Sequence, residues 1–245
     1  MGCAAKAPLD DDQQRLMTLA SQVQQGGDPA SAAALYERAA EASKEAPHVM
    51  LALGNARLLA GDAAGAAKAF RSVLLKHQNN PDALLGLGTA ELKMGQPHRA
   101  IRTLGLAAPL IGNATAYNRL GTAQVLSGEP GPALASFEQA LKQEPGNLDI
   151  RSNHAMALAL VGKSREATAE MSGVMASPLS EPHHVKQQML VFTLANDDHR
   201  ARLALADMTT AERDALIRRA QWVRSIEDLA QRAQAIGVLT AGTAR

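Results

Sequence analysis

The sequence predicts an all-α protein built from consecutive helix pairs, and three observations carry that expectation. A pattern of small, turn-forming and large residues recurs five times at intervals of 33 or 34 residues. Aromatic residues make up only 2% of the 245, so the core has to be built from Ala, Leu, Val and Met. That composition suits closely packed helices better than a β-sandwich. Each repeat also contains two apolar-periodic segments of roughly 12–14 residues, the usual length of a globular helix.

The register is easily followed. Ala20, Gly54, Gly88, Gly121 and Ala155 are the small residues of the first helices. Seven residues beyond them stand Gly27, Gly61, Gly95, Gly128 and Gly162, placed to end those helices in the left-handed conformation. Asp28 is a plausible N-cap, and Pro29, Pro97 and Pro130 fit the first turn of the second helix. Ala32, Ala66, Ala100, Ala133 and Ala167 then let the paired helices cross closely. Four residues on, Tyr36, Phe70, Leu104, Phe137 and Met171 fill the space toward the next pair. Pro47, Pro81, Pro145 and Pro182 mark the joints between pairs.

A worn sixth copy follows, with Met189, Asn196, Ala201 and Leu205 at the small, turn, alanine and large positions. In the third copy Gly105 and Pro109 fall inside the second helix, which is therefore expected to be short or bent. From Thr209 the chain reads as one final helix, opened by a Thr209–Glu212 capping box and striped by Leu216, Ala220, Val223, Ile226, Ala230 and Ala233. A terminal cap with a polar back is its expected role; a partner-binding amphipathic helix is the alternative.

This pattern resembles the tetratricopeptide repeat, over roughly residues 12–177. The resemblance implies a right-handed superhelical solenoid of about six tetratricopeptide repeats with a C-terminal capping helix. The domains expected are an N-terminal tether over 1–11, the array over 12–208, and the cap and tail over 209–245. It also implies a groove lined by the first helix of each pair. By register that groove includes Leu51, Asn55 and Leu58, then Leu85, Thr89 and Leu92, then Asn118, Thr122 and Val125, then Ser152 and Met156. The lining is neutral, with apolar strips and scattered amides, and suits an extended or helical peptide with apolar anchors. Repeats of this family that clamp acidic chaperone tails use a Lys and an Asn one turn apart; Leu51 and Asn55 stand at those positions, so that clamp is missing.

Several function classes are disfavoured. The net charge is +1, with no bulk field toward nucleic acid. One cysteine makes neither an internal disulfide nor a Cys-based zinc site. The seven histidines include the adjacent pair His183 and His184, which do not share a helix face, and His48, His77, His98, His154 and His199, which stand alone. No HExxH, phosphate loop or nucleophile elbow occurs. The expectation is a binding protein, not an enzyme, with no cofactor, no catalytic residue and no metal.

The cysteine is Cys3, in MGCAAKAPLDDD. Gly2-Cys3 resembles the end of a bacterial lipoprotein signal, which implies lipid attachment at Cys3; Ala4 after it implies transport to the outer membrane. An idle thiol and dual acylation are the alternatives, the latter opposed by Lys6 where Ser or Thr is wanted. Two or more acyl chains make a stable anchor without a transmembrane helix. A lipidated array of six repeats resembles pilus-assembly lipoproteins: the TadD family of the Flp/Tad pilus and the pilotins of type IV pilus systems. The stretch RSNHAMALALVGKSREATAEM, running into SPLSEPHHVKQQMLVFTLAN, is most similar to the TadD family. The resemblance implies a periplasm-facing outer-membrane lipoprotein whose repeats hold a secretin subunit. The competing expectation is a soluble cytoplasmic adaptor using the same groove for a regulatory partner.

Overall fold

A computed structural model describes residues 10–241. Among the described residues every regular element is an α-helix, and the chain divides at Ile111/Gly112 into two compact units. The first holds α1 (Asp11–Gln25) with α2 (Pro29–Ala42), α3 (Pro47–Leu59) with α4 (Ala63–Lys76), and α5 (Pro81–Lys93) with α6 (Pro97–Ile111). The second holds α7 (Ala114–Leu126) with α8 (Pro130–Gln143), α9 (Leu148–Leu160) with α10 (Ser164–Met175), and α11 (Pro182–Leu194) with the short α12 (Asp198–Leu203). It closes with α13 (Thr210–Ser225) and α14 (Leu229–Ala241). Within each unit the two helices of a pair pack together and the second packs on the first of the next pair. First helices also meet directly, α3 on α5 in one unit and α9 on α11 in the other.

The repeated residues do what their spacing predicts. Gly27, Gly61, Gly95, Gly128 and Gly162 all have φ between 67° and 88°, and Asn196 takes the same role in the sixth pair at φ 61°. That conformation is strained for most side chains and tolerated by Asn. Asp28, Asp62 and Asp197 cap the helices that follow, accepting from the backbone N–H of Ser31, Gly65 and Arg200. Ala32, Ala66, Ala100, Ala133, Ala167 and Ala201 are each fully buried at the crossings. Phe70, Leu104, Phe137, Met171 and Leu205 are buried beside them, with Tyr36 nearly so. The small first-helix residues make room for these side chains: a Cβ on Gly54 would lie 2.7 Å from the Phe70 ring, and one on Gly121 2.6 Å from the Phe137 ring. The pairing is thus a large residue of one helix set into the glycine of another, close packing at the density proteins need.

A polar bond also recurs with the register. Glu91, almost fully buried, accepts from the Thr103 hydroxyl at 2.8 Å, and Gln124 accepts from Ser136 at 2.7 Å. Both join the first helix of a pair to the second. Arg71 and Arg99 balance the Glu91 charge at 3.6 and 3.5 Å, and a buried carboxylate survives only with such partners.

Three expectations are corrected. First, of the two forms expected for α6, the shortened one does not occur: the helix runs through 15 residues with Pro109 in its last turn. Proline removes the N–H that would reach the Gly105 carbonyl, and Gly105 is exposed, so water is available to that carbonyl. Second, α1 begins at Asp11, inside the expected tether, because Asp10 forms a capping box with Gln13. Third, the single final helix is two. The Thr209–Glu212 box opens α13 as expected, but at Ile226 the backbone turns extended, with ψ 119°. Asp228 then caps α14 through the Gln231 N–H at 2.7 Å, and Arg232 Nε donates to the Ile226 carbonyl, holding the turn.

Candidate partner-binding face

In the first unit the residues expected to line the groove lie on α3 and α5. Asn55 is exposed, while Leu51, Leu58, Leu85, Thr89 and Leu92 are half-buried. Leu51 and Leu58 pack partly against the core beneath. Thr89 donates its hydroxyl to the Leu85 carbonyl in its own helix at 2.7 Å. The face is therefore apolar with one free amide, an arrangement that offers anchor sites to an amphipathic segment.

The second unit differs. Asn118 and Thr122 are half-buried, Val125 and Met156 are buried, and Ser152 is fully buried with its hydroxyl donating to the Asp149 carbonyl at 3.0 Å. Ser152 is a packing residue of α9, not an accessible groove position. Asn118 Oδ1 accepts from Asn153 Nδ2 at 3.1 Å, which ties α7 to α9. Val125 and Met156 are covered for another reason: α14 lies over them. Ala233, Ile236 and Gly237 of α14 face Thr122, Val125, Leu126, Asn153, Met156 and Gln187 across a cavity of about 110 Å³. These facing residues belong to α7, α9 and α11, the first helices of the three pairs. The expected groove of this unit is thus filled by the chain's own C-terminal helix.

Among the described side chains of α14, Ala233 and Ile236 are buried, together worth on the order of 3 kcal/mol by transferred apolar area. Gln187 Oε1 is buried at the cavity without a hydrogen-bond partner. By contrast α13 buries Ile217, Ala220 and Val223. It is further clamped by Arg224 Nη1, which donates to the Thr193 carbonyl and to Asp198, each at 2.9 Å. The terminal cap is α13. Periodicity alone missed the division because the apolar stripe continues across the break.

One side-chain cluster was not legible in the sequence. Asp149 Oδ1, on the first turn of α9, meets His183 Nε2 at 2.8 Å and His184 Nε2 at 3.1 Å, on the first turn of α11. The two adjacent histidines therefore do converge, through a carboxylate 35 residues away from His184. The buried His184 accepts the Glu181 N–H at Nδ1, which leaves the proton on Nε2 to donate to Asp149. A metal would need that Nε2 lone pair, so the hydrogen bonds read as a junction between α9 and α11. His154, also expected to stand alone, pairs with Glu170 at 2.7 Å.

Two family profiles, both described as tetratricopeptide repeat, match residues 18–83 and 57–123. The fold is that of a tetratricopeptide-repeat protein. No curated protein matches the sequence significantly. Solved structures do match. A tetratricopeptide-repeat protein from Parabacteroides merdae superposes with TM-score 0.72 at 14% identity, over 95% of this chain and 93% of that one. The pilF protein of Pseudomonas aeruginosa gives 0.64 at 16% identity, over 81% and 92%. MamA from Desulfovibrio magneticus gives 0.64 at 20% identity, over 69% and 96%. These likenesses establish the fold, and a tetratricopeptide-repeat fold is a scaffold for protein–protein interaction; no catalytic family is indicated. Among the described residues no helix is long and apolar enough to cross a membrane. Cys3 lies outside the described residues.

Proposed function

We propose that this protein is a non-enzymatic, outer-membrane lipoprotein that binds a protein partner on its repeat faces and assists assembly or localisation of the secretin of a Flp/Tad-type pilus. The observation that carries the binding part is the exposed first-helix face of α3 and α5, where Asn55 stands among half-buried leucines. Gly2-Cys3-Ala4 supports the lipid anchor and its destination. The TadD-like stretch over α9 to α11, together with the fold shared with pilF of Pseudomonas aeruginosa, supports the pilus setting. Lipid would hold the repeats at the membrane while a segment of the secretin subunit lies along them.

Two measurements test this. Mass analysis of the N-terminal peptide from native cells is expected to find lipid on Cys3, and Cys3→Ser is expected to release the protein from the membrane fraction. Deleting the gene is expected to remove secretin multimers from the outer membrane. Normal multimers would overturn the secretin role. An unmodified Met1 start with a free thiol would instead make the protein a cytoplasmic adaptor.

A further inference from the structure

We infer that α14 is a displaceable occupant of the second unit's binding face, and that the ligand which replaces it is an acidic amphipathic helix. This deepens the binding reading above and rests on it. The first support is position. By repeat register Thr122 and Met156 are the counterparts of Asn55 and Thr89, and Val125 is the counterpart of Leu58 and Leu92. In the first unit these positions are exposed or half-buried; in the second, Val125 and Met156 are buried, and α14 is what covers them. A helix with small residues at Ala230, Ala233 and Gly237 and a branched anchor at Ile236 is therefore a shape that this face accepts.

The second support is the poor fit of α14. A half-open cleft of about 110 Å³ stays between it and α7, α9 and α11. The buried Gln187 amide oxygen beside it has no donor among the described residues. Packed interiors satisfy nearly all buried acceptors. A ligand with a larger anchor and a donor over Gln187 would gain both contacts. α14 is joined to the firmly clamped α13 by the three residues 226–228, so its displacement leaves α13 in place.

The third support is charge. Arg119 stands in the stripe of α7 that contains Thr122 and Leu126, three and seven residues before them. It is half-buried, and burial lowers its pKa, with no ion pair or hydrogen bond among the described residues acting against that effect. The sequence of α14 carries no carboxylate; its one charged residue is Arg232. A helix presenting a carboxylate beside its apolar stripe would supply the missing counter-charge. An internal occupant that leaves the cation unanswered is out-competed by one that answers it.

The sole tryptophan makes this measurable. Trp222, on α13, lines a cleft with Gln231, Gln234 and Ala235 of α14, so its emission reports whether α14 is in place. The probe is a synthetic helical peptide that keeps the Ala230, Ala233, Ile236 and Gly237 spacing and carries glutamate in place of Gln231, Arg232 and Gln234. A control peptide carries lysine there. The full chain is compared with Ala233→Glu and with the milder Ile236→Ser, each checked for native helix content and for exchange protection of α13. Releasing the occupant is expected to tighten the glutamate peptide about tenfold or more, as removing a competing state does. The glutamate peptide is expected to bind at least about tenfold better than the lysine peptide, a preference that Arg119→Gln removes. Equal binding by native and released chains, or no binding by a released chain with α13 intact, would overturn the inference. Preference for the lysine peptide would overturn its acidic half. The secretin role fails separately: peptide binding with unaffected multimers contradicts that role alone. Normal multimer assembly lost on gene deletion, with no peptide bound by the released chains, contradicts this inference alone.

Discussion

Replacing Phe70 with alanine is expected to destabilise the first unit by about 3–5 kcal/mol, the range for emptying a buried aromatic site. Phe70 has no exposed surface, and it fills the space that two glycines leave, Gly54 of α3 and Gly86 of α5. It therefore joins two consecutive repeats through one side chain. The same geometry predicts a change of sign. Gly86→Ala in the native chain drives a Cβ into the Phe70 ring and should cost about 1–3 kcal/mol by overpacking. In the Phe70→Ala background that clash is gone, and the substitution should stabilise by about 1 kcal/mol through helix propensity alone. Urea unfolding followed by circular dichroism, run on the two single variants and the double, measures the coupling. Additive effects would mean that Phe70 and Gly86 do not share the space.

Gly128→Ala should have the second large effect, and a local one. Gly128 has φ 80°, and its added Cβ would lie 2.6 Å from the Ala230 backbone nitrogen in α14. Gly61, at φ 83°, has nothing within 4 Å of the same added atom. Both alanines pay about 1–2 kcal/mol for a left-handed residue. Only the one at position 128 must also expel α14, losing burial on the order of 3 kcal/mol. The Trp222 emission should therefore shift in Gly128→Ala and stay native in Gly61→Ala. An identical response of the two variants would show that α14 does not bear on that turn.

Much of this fold was legible because the repeat enforces it at several levels together. A glycine that must be left-handed, an alanine at a crossing and a large residue four positions later leave little freedom, and Asn196 was readable as a turn residue for the same reason. The sites where one residue type has a single structural meaning were therefore found. The misses have physical causes. Ser152 shares its register with the half-buried Leu51, Leu85 and Asn118, but its hydroxyl finds the Asp149 carbonyl inside the helix, and the helix pairs bury it completely. The break at Ile226 leaves the apolar stripe uninterrupted, so periodicity reads through it; the signal was Asp228, a capping residue three positions before Gln231. Asp149 joining His183 and His184 depends on a first-turn contact between α9 and α11, which no local pattern encodes. Nor does local sequence reveal that α14 folds back onto α7.

Hydrogen exchange of the full chain, resolved by helix, tests most directly whether the second unit's binding face is held in reserve by its own C-terminal helix. Amides of α14 are expected to exchange at least about a hundredfold faster than those of α13 and α9, through a local opening that leaves the rest of the unit protected. Addition of the glutamate peptide should speed α14 further while slowing α7. Protection of α14 equal to that of α13, unchanged by the peptide, would make it a permanent part of the cap and contradict the account.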